Sequence, residues 1–202
     1  VSELTGGKFA NGAVTGALQS ALAGSSRTRH LEVQMAEPDS SSQAEAMADA
    51  PEHLKPLLAD PARRQEALEI MMGEGGHHYV TITYDHSRQT GGNSGRALAK
   101  MGSDFHMTVY RGAFEGSFAS LGTIIFHEGF HSSQFLRPEW GSRSMIEVEA
   151  YDATLSPRNP YFQGLTPQEV SGYRKSRDNY YRGLSATCRS AVDSGNYSLS
   201  GC

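Results

Sequence analysis

Residues 126 to 131 read FHEGFH. On a helix, His127 and His131 project from one face a single turn apart, so two imidazole nitrogens can meet on one ion. Glu128, next to the first histidine, points toward the open side of that ion. A carboxylate there can take a proton from a zinc-bound water, whose pKa the metal lowers to about 7, and pass it onward. Two histidines and a glutamate placed among Ile125, Phe126 and Phe130 would be costly to bury without a cation. That cost favours metal ligands over surface histidines.

The third ligand is expected in the following stretch, MIEVEAYD. Glu149 shares a helical face with Ile146, Ala150 and Ala153 and is the expected ligand. Glu147, on a face with Tyr151 and Thr154, is the reserve. Asp152 is either a partner for the second ring N–H of His127 or a solvated helix residue. The oxyanion that forms on an attacked carbonyl needs a donor, and Tyr151, Tyr173, Tyr180, Tyr181 and His106 are candidates. Each of them is more often plain packing, because aromatic residues mainly supply buried area. His77 and His78 are neighbours at a strand start and face opposite ways, so they are expected at the surface.

These side chains need elements to hold them. SFASLGTIIFHEGFHSSQF carries Leu121, Ile124 and Ile125 as an apolar stripe ahead of the motif and predicts a helix ending before Pro138. SMIEVEAYDATL predicts a second helix, stopped by Ser156 and Pro157. A third starts at Thr166, with Pro167 at its first position and Glu169 completing a capping box. Upstream, alternation in YVTITY (Val80, Ile82, Tyr84) and FHMTVY (Phe105, Met107, Val109) predicts two half-buried strands. The polar segment between them is expected to be a long loop. Asp60 is expected to cap a helix beginning at Pro61, with Leu68, Met71 and Met72 in the core. Residues 1–40 have the composition of a linker, and the compact domain is expected over residues 41–202.

A chain of 202 residues can bury a substantial core. Its net charge of -4 offers no basic face for nucleic acid, which is therefore not an expected partner. No stretch approaches the length of a bilayer span, so stable membrane insertion is not expected either. The sequence begins at Val1 rather than Met, which suggests a processed product or fragment of a larger protein. Cys188 and Cys202 either bridge the polar tail, implying an oxidising destination, or remain free thiols.

The HExxH formed by His127, Glu128 and His131 resembles that of the zincin metallopeptidases. EVEAYD resembles the glutamate-bearing downstream helix of their gluzincin branch, so the likeness covers roughly residues 79 to 155. The resemblance implies an α+β fold with a small mixed or antiparallel sheet, an active-site helix and a mainly helical C-terminal part. It also implies a zinc metallopeptidase that lays an extended protein or peptide substrate along an edge strand. Met107 to Phe114 is the expected strand. The chain has no HxxGxxH, which excludes the metzincin branch, and Asp152 lies three rather than four residues beyond Glu149.

GGKFANGAVTGALQSALAG resembles the segment that joins the secreted core of bacterial polymorphic toxins, including Rhs and haemagglutinin-like proteins, to a C-terminal toxin domain. The two resemblances together imply a secreted effector delivered into a target cell and accompanied by a cognate immunity protein. Two other readings stay open. One is a zinc-dependent hydrolase or amidase acting on the peptide part of peptidoglycan. The other is a non-catalytic module stabilised by a closed zinc site, in which Glu128 would have no use.

Overall fold

The computed structural model describes residues 47–74, 80–91, 98–102, 104–137, 141–198 and 202. The expected linker over residues 1–40, and His77 and His78, lie outside them. The fold is α+β and mostly helical, with one small mixed sheet. Among the described residues helices α1 (Lys55–Ala59) and α2 (Arg64–Glu74) come first. Strands β1 (Thr81–Asp85), β2 (Ala99–Met101) and β3 (His106–Tyr110) follow, and a 3-10 turn over Arg111–Glu115 leads out of the sheet. Helices α3 (Phe118–Phe135), α4 (Arg143–Thr154), α5 (Pro167–Arg182) and α6 (Ala186–Asp193) complete the chain.

The strand order is β1-β3-β2, with β1 parallel and β2 antiparallel to β3. Met107 and Val109 of β3 are fully buried, as the alternation requires. The central place of β3 corrects the expectation that Met107 to Phe114 forms an edge. Its first part is paired on both sides, and Arg111–Glu115 leaves the sheet as a 3-10 turn. Among the described residues the edge near the HExxH helix is β2, which falls inside the segment expected to be a loop. Three residues are too few to show a period of two. The outer edge of β1 is covered by Gln65. Its side-chain amide donates to the Ile82 carbonyl at 2.7 Å and accepts from the Tyr84 N–H at 2.8 Å, replacing the backbone of a neighbouring strand.

The α3 helix starts where Ser117 accepts from the Ser120 N–H and runs to Phe135. It is buried along most of its length because the sheet and α2 cover one side and α4 the other. Leu121, Ile124 and Ile125 join the main core with Met71, Met107 and Phe114. The capping box at Thr166 and Glu169 forms as its spelling predicts. Asp60, in contrast, accepts from the Ala62 N–H in a turn, and helix α2 begins only at Arg64.

The C-terminal tail is not merely a loop. Ser185 caps α6, and Leu184, Cys188, Ala191 and Val192 pack with Met145 and Val148 of α4 in a second, smaller core. Cys188 and Cys202 are bridged, with Cα atoms 5.5 Å apart. Tyr197 of the tail donates to Asp152 of α4 at 2.8 Å. Helix α4 is thus held between α3 on one side and the tail on the other. No helix among the described residues is long and apolar enough to cross a membrane.

Candidate metal centre

His127 and His131 sit on the central turns of α3 and are buried, at 0% and 2% exposure. Facing them is Glu147 of α4, 1% exposed. Its Oε2 lies 3.5 Å from His127 Nε2 and 3.8 Å from His131 Nε2. Ligands bound at 2.0–2.2 Å to a four-coordinate zinc stand about 3.3–3.6 Å apart, so the three side chains are spaced to close on one ion. One ligand atom from each lies within 4.8 Å of the others.

The hydrogen bonding makes the case sharper. Both Nε2 atoms and both Glu147 carboxylate oxygens are buried and have no hydrogen-bond partner among the described residues. Such atoms carry a large desolvation cost, and a shared cation would satisfy all of them together. The outer ring nitrogens, by contrast, are engaged. Thr154 donates its hydroxyl to the Ala150 carbonyl at 2.7 Å, so towards His127 Nδ1, 3.1 Å away, it acts as acceptor. Gln134 spends its amide N–H groups on the Ile146 carbonyl and Glu149, so its oxygen accepts from His131 Nδ1 at 2.7 Å. Both rings are therefore Nδ1–H tautomers that turn a lone pair toward Glu147. Burial lowers the pKa of both imidazoles, which keeps them neutral as metal ligation requires. Burial also raises the carboxyl of Glu147.

Glu128 is buried beside this group, where its Oε2 accepts from the Met101 N–H of β2 at 2.9 Å. The edge strand thus fixes the carboxylate that follows the first histidine. On the opposite wall, Arg143, Glu147 and Tyr151 lie at four-residue spacing along α4. Tyr151 is fully buried, its ring 4.5 Å from that of His127 and 6.1 Å from that of Tyr180, on which it stacks. The half-buried Tyr180 is hydrogen-bonded to Arg143, and its hydroxyl is pushed up to about 12 by burial and by Glu147. It is therefore a protonated donor at neutral pH.

Several expected residues take other places. Glu149, the expected third ligand, is held in a two-pronged pair with Arg137 at 2.6 and 2.8 Å and accepts from Gln134. Its place in the ligand group is taken by Glu147, the reserve. Tyr151 and Thr154, which share the face of Glu147, are both fully buried. Because α4 is covered on nearly every side, apolar periodicity does not single out one inner face. Asp152 pairs with Arg177 and Tyr197 rather than with His127. Tyr151 and Tyr173 are buried in the main core, and Tyr181 is engaged with Asp193. His106 opens β3, and its carbonyl accepts from Gly102 next to Met101.

Thr154, Gln134 and Arg143 carry no distinctive motif of their own. The four-residue spacing of Arg143 ahead of Glu147 was the available signal. No protein-family model matches the chain, and neither a curated protein nor a solved structure is significantly similar to it.

Proposed function

We propose that this chain is a zinc-dependent metallopeptidase of zincin type, with His127, His131 and Glu147 holding the ion and Glu128 acting as the general base. The observation that carries the reading is the convergence of four buried, unpartnered atoms, His127 Nε2, His131 Nε2 and the two oxygens of Glu147, beside a glutamate tied to the edge strand. A zinc ion at that point would polarise a carbonyl and bring the pKa of a water down to about 7.

The rest of the chemistry belongs to the chain. Glu128 takes the proton that the attacking water loses and delivers it to the departing amine, a role worth typically about 10²–10⁴ in rate. The Met101 N–H holds the Glu128 carboxylate in place for that transfer. Leu98 and Gly102 bond inward to β3, so the backbone of Ala99 and Met101 faces the outer edge of β2. With the Met101 N–H taken by Glu128, the Ala99 backbone is what that edge keeps for an extended peptide added as a further strand. Tyr180, hydrogen-bonded to Arg143 and within reach of the charge of Glu147, is the donor proposed for a carbonyl oxygen gaining negative charge.

The toxin-like N-terminal segment extends the proposal to a secreted bacterial effector that acts inside a target cell and is neutralised by a cognate immunity protein. One observation favours a second substrate, the peptide part of peptidoglycan. The Cys188–Cys202 bridge suits an oxidising compartment. A closed structural zinc site would need a fourth protein ligand, and Glu128 is instead bonded to β2.

The test compares the native chain with Glu128→Gln for zinc content and for cleavage of a denatured protein mixture and of peptidoglycan peptides. Equal zinc with cleavage by the native chain alone supports the proposal, and the substrate cut distinguishes its two forms. Undiminished cleavage by Glu128→Gln refutes the assigned base.

A further inference from the structure

Asn159 lies in the turn beyond α4 and is 2% exposed, although it belongs to neither helix of the metal centre. The Tyr161 N–H donates to its Oδ1 at 3.0 Å, which assigns the other end of the amide as the donor. That Nδ2 bonds to the Thr154 carbonyl at 3.0 Å and to Thr123 Oγ1 at 3.1 Å. Thr123 is one turn before His127 on α3, and Thr154 is two turns after Glu147 on α4. One buried amide therefore fastens together the turns that carry the first histidine and the facing carboxylate. It also grips the residue whose hydroxyl accepts from His127 Nδ1.

We infer that Asn159 is a positioning residue of the metal centre: by joining Thr123 to Thr154 it sets the separation of α3 and α4 and keeps His127 in its Nδ1–H tautomer. The consequence for metal affinity rests on the metallopeptidase reading, whereas the tautomer is a property of the metal-free chain. The chemistry is direct. The Thr154 hydroxyl spends its one proton on the Ala150 carbonyl, and Asn159, by gripping the Thr154 carbonyl, holds that residue where its oxygen faces His127. The ring nitrogen on the other side must then carry the lone pair.

The experiment uses the full chain, native and as Asn159→Ala, Thr154→Val and Thr154→Ser. Nitrogen-15 NMR of the metal-free protein reports the His127 tautomer, and competition with a chromophoric chelator reports zinc affinity. Asn159→Ala and Thr154→Val should bind zinc about 10–100-fold more weakly and lose the uniform Nδ1–H tautomer, while Thr154→Ser retains both properties. A purely structural role would lower the melting temperature and leave affinity and tautomer unchanged, and that result overturns the inference. Thr154→Val is close in shape to threonine and serves if Asn159→Ala does not fold. If the native chain binds no zinc, the metallopeptidase reading fails, and the tautomers of the folded variants still decide whether Thr154 and Asn159 set His127.

Discussion

Replacing Glu147 by Met should make the metal-free protein more stable while abolishing its response to zinc. Glu147 is 1% exposed and both its oxygens lack a hydrogen-bond partner. An unsatisfied buried polar group costs about 1–3 kcal/mol, and Met fills a similar volume without any polar oxygen. In a domain of this size 1 kcal/mol moves the melting temperature by about 2–4 °C, so Glu147→Met should melt about 2–12 °C above the native chain in the presence of a chelator. Zinc at 100 times its dissociation constant should add about 2.7 kcal/mol to the native chain and nothing comparable to the variant.

Glu149→Gln should behave in the opposite way. It weakens a part-buried, charge-assisted pair with Arg137, costs about 1–3 kcal/mol and leaves the zinc response in place. Differential scanning calorimetry of both variants, with chelator and with zinc, reads all four quantities. Destabilisation of Glu147→Met in chelator with stabilisation by zinc retained, or loss of the zinc response in Glu149→Gln, would show that Glu147 is not the third ligand.

Acid should weaken zinc binding through both kinds of ligand. Burial holds His127 and His131 below the ordinary histidine pKa, so protons compete for their Nε2 atoms only under about pH 6.5. Burial raises Glu147, so it too takes up a proton earlier than an ordinary glutamate as the pH falls. Affinity measured by chelator competition should fall on acidification. Reducing the Cys188–Cys202 bridge, which spans 14 residues of sequence, should cost about 3 kcal/mol and lower the melting temperature by about 6–12 °C. An unchanged melting curve in reductant would contradict the bracing role given to the tail. Gly122→Ala should also destabilise the chain, by about 1–3 kcal/mol, because the new Cβ would meet the Tyr161 ring at 2.4 Å; denaturant unfolding checks this.

Much of the frame was legible because it rests on local rules. The capping box at Thr166 and the stripe ahead of FHEGFH place their helices within a residue of the observed bounds. The alternation at Val80–Tyr84 finds β1. The motif likewise yields His127, Glu128 and His131, because four-residue spacing is a property of any helix. The choice between Glu147 and Glu149 was not local. It depended on α4 being covered by α3 on one side and by the disulfide-bound tail on the other, and on Arg137 claiming Glu149. The partners of the histidines were hidden for the same reason. Thr154 and Gln134 gain their roles only when two helices meet, and β2 is recognisable only through its pairing with β3.

The most direct measurement is anomalous diffraction at the zinc edge from crystals of the full chain grown with one equivalent of zinc. A single strong peak bounded by His127 Nε2, His131 Nε2 and the carboxylate of Glu147 is expected. A peak held by Glu149, or none between the two histidines while they remain paired with Thr154 and Gln134, would contradict that assignment.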